Sequence, residues 1–177
     1  MRRSPLGHRG RVALISGARV KIGYQAAIML LRAGARVIVT TRFPRDAAAR
    51  YAQEPDFEEW QHRLELFGLD LRHTPSVEAL CHELLTNHRR LDFIINNACQ
   101  TVRRPPDFYA HMMALEAGRA GEAGGAGKNL MRTYFPYLPV TSAEMSQVAL
   151  LAEDRPGRVD LFPAGQLDQD LQQVDMR

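Results

Sequence analysis

The decisive stretch runs Val12-Ala13-Leu14-Ile15-Ser16-Gly17-Ala18-Arg19-Val20-Lys21-Ile22-Gly23. Val12 to Ile15 is a short uninterrupted apolar run, the mark of a strand buried on both faces of a parallel sheet. It stops at Ser16-Gly17. Next, Ile22, Ala26, Ala27, Met29, Leu30 and Ala33 recur at helical spacing, and Gly34 stands where a helix end needs a left-handed residue. Between strand and helix, Gly17 suits a tight turn and Gly23 a close helix–strand approach. Such a turn aims backbone amides and the positive end of a helix dipole at an anion, a pyrophosphate for example.

The same alternation continues outward. Ala35 to Thr41 (ARVIVTT) is a second, β-branched strand, and its distance from Val12 suits one right-handed βαβ unit. Asp46 to Gln53 reads as helix and Leu64 to Asp70 (LELFGLD) as a third strand. Thr74-Pro75 opens a further helix, with Thr74 as cap and Pro75 at the first helical position. Its buried face is expected to be Val77, Leu80, Cys81, Leu84 and Leu85. Leu91 to Asn97 (LDFIINN) is the fourth strand. The order predicts an α/β layer with a parallel sheet.

Beyond Pro105-Pro106 the pattern decays, so residues 1–106 are read as the ordered portion and 107–177 as an irregular, partly helical tail. Residues 118–127 (GRAGEAGGAG) have the composition of a flexible linker. Met131 to Leu138 carries apolar residues, and Ser142 to Glu153, with Met145, Val148, Ala149 and Ala152 in step, reads as one amphipathic helix. Leu167 to Arg177 shows no clear element.

Composition sets the outer bounds. The 177 residues are 45% hydrophobic and 24% charged, ordinary for a globular chain with a real core. A net charge of +3 is too small to point to nucleic acid. The two cysteines, Cys81 and Cys99, both sit in segments that read as internal, so no disulfide framework is expected and a reducing compartment fits. No run is long enough for a signal core or a membrane span. A soluble, cytoplasmic protein is the expectation.

Three segments together carry a resemblance. Ser16-Gly17-Ala18-Arg19-Val20-Lys21-Ile22-Gly23 resembles the Thr-Gly-x-x-x-Gly-x-Gly signature of the short-chain dehydrogenases/reductases, Ser16 standing for the threonine. Lys21 replaces the middle glycine, a departure similar to the pteridine-reductase-like branch. Asp70-Leu71, ending the third strand, resembles the family's Asp-Val/Leu pair, and Asn96-Asn97-Ala98-Cys99 its Asn-Asn-Ala-Gly motif, with Cys99 for glycine. The resemblance covers residues 11–104. It implies an α/β fold with a Rossmann-type doubly wound parallel sheet, truncated here after the fourth strand, and an NAD(P)-dependent oxidoreductase acting on a carbonyl or similar small substrate. It also implies that Ser16, Gly17, Arg19, Lys21, Ile22 and Gly23 line the cofactor's pyrophosphate side, Asp70 and Leu71 its adenine, and Asn97, Ala98 and Cys99 its flank.

Charge bears on which cofactor. A ribose 2′-OH is held by an acid after the second strand, a 2′-phosphate by cations. Here Arg42 follows Thr40-Thr41, Arg19 and Lys21 lie in the glycine loop, and no Asp or Glu occurs before Asp46. Arginine matches a phosphate bidentately, which favours NADP(H) over NAD(H). The competing reading makes Arg42 a solvated strand-end residue.

The family's chemistry uses a tyrosine with a lysine four residues later, a serine upstream and an asparagine in the following helix. The only lysines here are Lys21 and Lys128, neither four residues after a tyrosine, so Tyr109, Tyr134 and Tyr137 receive no catalytic role. A second reading is therefore a non-catalytic dinucleotide-binding or interaction protein, self-associating or pairing with a full-length homologue through an open fourth strand. Other chemistries fall away. Gly127-Lys128-Asn129 lacks the glycine and Ser/Thr of a phosphate loop, Cys81-His82 with His88 has no metal-ligand spacing, and no Gly-x-Ser-x-Gly elbow occurs. Cys99 reads as a small buried residue before a reactive thiol, and Arg103-Arg104 as a solvated loop pair.

Overall fold

The computed structural model describes residues 7–98, 104–117, 131–132, 140–149, 154, 161–170 and 172–176. Strand β1 (Val12–Ser16) leads through α1 (Lys21–Arg32) to β2 (Arg36–Thr41). There follow α2 (Pro44–Ala52), the single turn α3 (Phe57–Trp60), a 3-10 turn at Gln61–Arg63, and β3 (Leu64–Gly68). After α4 (Thr74–Asn87) and β4 (Phe93–Ile95) come a 3-10 turn at Pro106–Tyr109, α5 (Ala110–Ala117), β5 (Met131–Arg132) and α6 (Ser142–Met145).

The sheet runs β4-β1-β2-β3-β5, and every pair in it is parallel. β2 lies at its centre, and every residue from Val37 to Thr41 is buried, as its β-branched composition requires. Alternate side chains serve opposite faces. Val37 and Val39 join Ile15, Leu66, Ile28, Leu31, Tyr51 and Trp60 beneath α1 and α2. Ile38 joins Val12, Phe67, Leu69 and Leu80 beneath α4. Burying each such side chain contributes about 1.5–3 kcal/mol. Helices on both faces of a parallel sheet make this a Rossmann-type doubly wound fold.

The end of α1 forms as its sequence requires. Gly34, at φ 95°, donates to Leu31 O, and Ala35 N donates to Leu30 O, so two terminal carbonyls are satisfied.

Several expectations need correction. The cap of α4 is His73, whose Nδ1 accepts from Ser76 N, rather than Thr74, because Thr74 already has helical geometry. On α4 only Leu80 is buried among the expected apolar residues, Val77 and Leu84 are half-buried, and Cys81 and Leu85 face outward. The helical stripe was right in period, but among the described residues nothing covers its far side. The fourth strand is shorter than expected, and the sheet gains its extra strand beside β3, where Leu66 and Phe67 pair with Met131 and Arg132. Helix α6 ends at Met145, and the expected helix through Glu153 is already interrupted at residues 146–149, while 150–153 lie outside the described residues. Residues 118–127, Cys99 and Arg103 lie outside the described residues.

The segment 106–117 packs on the C-terminal end of β2. Phe108, Tyr109 and Met112 form a cluster with Phe43, Ala143 and Phe162. The Glu116 carboxylate accepts from the N–H groups of Arg45 and Asp46 at 3.0 and 2.9 Å, capping α2 from another element. Among the described residues no helix is long and apolar enough to cross a membrane.

Candidate functional site

In an open α/β sheet ligands collect beyond the C-terminal ends of the strands. Here that rim brings together Ser16 and Gly17, Thr40 to Phe43, Leu69 to Leu71 and Asn96 to Ala98, which end the four longer strands or directly follow them. Ser16 and Asn97 clasp β1 to β4. The Asn97 side chain donates to Ser16 O at 3.2 Å and to Gly17 O at 3.0 Å. Ser16 Oγ accepts from the backbone N–H groups of Asn97 and Ala98, both at 3.0 Å. Gly17 N donates to Thr40 O, and Tyr51 Oη donates to Ala18 O, so the loop is anchored from β2 and α2 as well.

Both glycines of the loop are required by contact. Gly17 has φ 68°, and a Cβ there would lie 2.9 Å from Ala98 Cα. A Cβ on Gly23 would collide with the Asn97 amide and stand 2.9 Å from Gly17 O. The position of the middle signature glycine has a left-handed conformation although Lys21 fills it, with φ 54°. α1 has no side-chain cap, in contrast with α4 and α6, and no acidic residue in its first turn. A bare loop and an uncapped helix start fit the pyrophosphate of a dinucleotide.

The expected cations divide. The guanidinium groups of Arg19 and Arg42 both lie over the Phe43 ring, at 5.6 and 5.5 Å from its centroid. Arg42 also stacks 4.5 Å from the Tyr109 centroid and donates from Nη2 to Tyr109 Oη at 2.7 Å. Arg19 is buried and donates to Asp46 at 2.6 Å, and Arg50 reaches the same carboxylate at 2.7 Å. Burial pushes the Asp46 carboxyl up, but Arg19 and Arg50 outweigh it and hold it below its ordinary value. Burial lowers Arg19 against the pull of Asp46, and an arginine so lowered is still a cation at neutral pH. Lys21 turns to Asp170, at 3.5 Å.

Asp70 is buried at the end of β3 and gripped by Arg72 through the backbone N–H, Nε and Nη2. Burial raises its carboxyl, the hydrogen bonds and charge of Arg72 lower it more, and it stays ionised. Leu71 and Ile22 are exposed beside the rim.

Sequence reasoning missed Asp46, Tyr109, Glu116 and Asp170 as neighbours of this rim. Asp46 left a signal, being the first acid after the second strand, one turn into a helix. The other three lie in segments without periodic pattern, and only folding brings them here.

A family model for short chain dehydrogenases matches residues 11–113, which contain every element of the rim just described. The chain belongs to that family. An uncharacterized protein of Acanthamoeba polyphaga mimivirus is 44% identical over 98 residues, 52% of this chain and 21% of its own length. Retinol dehydrogenase 14 of Mus musculus is 41% identical over 100 residues, 50% of this chain and 29% of its own. The chain thus matches less than a third of the length of these relatives. Among solved structures, a gluconate 5-dehydrogenase from Burkholderia cenocepacia in complex with NADP and tartrate has a TM-score of 0.45 at 20% identity, covering 78% of this chain and 61% of that one.

Proposed function

We propose that this chain is the cofactor-binding portion of an NAD(P)-dependent oxidoreductase that prefers NADP(H) over NAD(H) and acts on a carbonyl or similar small substrate. One observation carries the reading: the bare glycine loop, the uncapped start of α1 and the Arg42 guanidinium share one rim of the sheet. Gly17, Lys21, Ile22 and Gly23 would take the pyrophosphate, Asp70 and Leu71 the adenine, and Arg42, with Arg19 behind it, a 2′-phosphate. Asn97 and Ala98 would flank the nicotinamide side, next to Cys99. When bound, the nicotinamide supplies or accepts the hydride; these residues orient it and carry no proton in that step. The Tyr-x-x-x-Lys pair that the family uses for the proton does not occur in this sequence. The free, exposed Cys81 fits a reducing, cytoplasmic setting.

Calorimetric titration of the 177-residue protein with NADPH and NADH tests the assignment. Micromolar binding that favours NADPH supports it. No binding of either dinucleotide by a folded sample overturns it.

A second reading, a non-catalytic dinucleotide-binding or interaction protein, draws on the sheet edge. In β4, Ile94 is 61% exposed, and Phe93 and Leu91 are exposed beside it. An apolar strand edge of this kind is a template for pairing with another chain, a second copy or a full-length homologue. Concentration-dependent sedimentation together with an absence of substrate turnover favours this reading.

A further inference from the structure

The cations at the rim are already engaged, and two of their partners come from the C-terminal part of the chain. Tyr109 takes the outer face and one N–H of Arg42, 67 residues upstream of it. Asp170 places its carboxylate 3.5 Å from Lys21 Nζ, while its carbonyl oxygen accepts from Arg50 Nη1 at 2.9 Å. Both contacts are presented by folded structure. Tyr109 belongs to the buried cluster with Phe43 and Phe108, and Glu116, two turns on, caps α2. Ser142 Oγ donates to Arg42 O at 2.8 Å, fastening α6 to the same strand end. Asp170 is presented by a built turn in which Asp168 Oδ1 accepts from the N–H groups of Asp170 and Gln172, both at 2.9 Å. Gln173 closes that turn by donating to Pro163 O and Gln166 O.

Chemically, each contact imitates part of a dinucleotide. A phenol oxygen on Arg42 occupies a donor that a 2′-phosphate would use, and the carboxylate beside Lys21 puts negative charge at the mouth of the glycine loop, where a pyrophosphate would bring its own.

We propose that Tyr109 and Asp170 are built-in competitors of the cofactor: the tail closes the dinucleotide rim from within, and the nucleotide binds by displacing it. The inference rests on the assignment of that rim to a dinucleotide. The two arms act differently. Tyr109 opposes only a ligand that carries a 2′-phosphate, whereas Asp170 opposes any pyrophosphate. Apparent affinity is the intrinsic affinity multiplied by the fraction of molecules in which the tail is undocked. Salt weakens the Asp170 arm, because Lys21 and Asp170 are both partly exposed and their attraction is screened.

The test compares the intact protein with Tyr109→Phe and Asp170→Asn, substitutions that keep shape and remove the hydroxyl on Arg42 and the charge beside Lys21. Binding of NADPH, NADH and adenosine 2′,5′-bisphosphate is measured by calorimetry, and hydrogen exchange of residues 106–117 and 168–173 is followed with and without NADPH. Tyr109→Phe is expected to tighten NADPH and the bisphosphate about fivefold and to leave NADH unchanged, and Asp170→Asn to tighten both dinucleotides by about the same factor. Saturating NADPH should raise amide exchange in both tail segments. Unchanged or weakened binding in both variants, with tail protection unaffected by nucleotide, overturns the competition while leaving the cofactor site standing. Failure of all three proteins to bind any nucleotide overturns both.

Discussion

Asn97 spans the first turn of the glycine loop, its amide donating to Ser16 O and Gly17 O while Ser16 Oγ accepts the Asn97 N–H. The two residues lie 81 positions apart, and β4 adds only three residues of pairing to β1. Their clasp therefore fixes where the end of β4 stands against the loop, and with it the gap that Gly23 must fit.

Replacing Asn97 by alanine removes both side-chain bonds and leaves two carbonyl oxygens without them. A loss of about 1–3 kcal/mol is expected in urea unfolding. Asn97→Asp should cost more, because it turns an oxygen toward each carbonyl.

Lys21 holds a left-handed backbone that a side chain disfavours by about 1 kcal/mol. Lys21→Gly is expected to raise the melting temperature while releasing Asp170 from its ion pair. A lower melting temperature would show that the Lys21–Asp170 pair outweighs the backbone strain.

Arg42→Ala should weaken NADPH by about ten- to a hundredfold, the range of a charge-assisted phosphate contact, and leave NADH within about twofold. Parallel calorimetric titrations give both values. Equal losses for the two dinucleotides would make Arg42 a general wall of the site and remove the argument for NADP(H).

Acid should unfold the protein through its paired carboxyls. The Arg32 hydrogen bond brings Asp56 down to about 2 against a small burial penalty, and Asp46 and Asp70 are held low despite their burial. Stability from such groups is complete above the ordinary carboxyl value of 3.8 and is lost as pH falls through the folded-state values. Glu116 acts in the opposite sense, since burial raises its carboxyl and its protonated form is favoured in the folded chain. Melting temperatures should be nearly flat between about pH 5 and 8 and fall steeply below about pH 4. Asp46→Asn should lower the neutral plateau and flatten the acid limb.

Ile94→Lys places a charge on the open edge of β4, where the native side chain is already mostly exposed. Sedimentation should show less self-association at high concentration, with unfolding free energy changed by less than about 0.5 kcal/mol. A monomer at all concentrations in the parent protein would remove pairing with a second copy.

Much of this was legible in the chain itself. The runs Val12 to Ile15 and Val37 to Thr41, the stripe of α1 and the stop at Gly34 each express a period or a backbone preference carried by neighbouring residues. The parallel sheet followed from the alternation of strand and helix periods, and the structure has it. Cys81 and Leu85 show the limit of such reading. Their helical spacing is apolar, but burial depends on what stands opposite, and nothing in α4 encodes its neighbour.

The charges at the rim divide along the same line. That Arg42 follows the second strand, and that Arg19 and Lys21 lie in the glycine loop, is a matter of local sequence. Their engagement is not: Asp46 claims Arg19, Tyr109 claims Arg42 and Asp170 claims Lys21. Period and turn chemistry act over a few residues and can be read in order along the chain. Ion pairs and ring contacts act across space, so the partner of each cation was decided only when the tail folded back onto the ends of the strands.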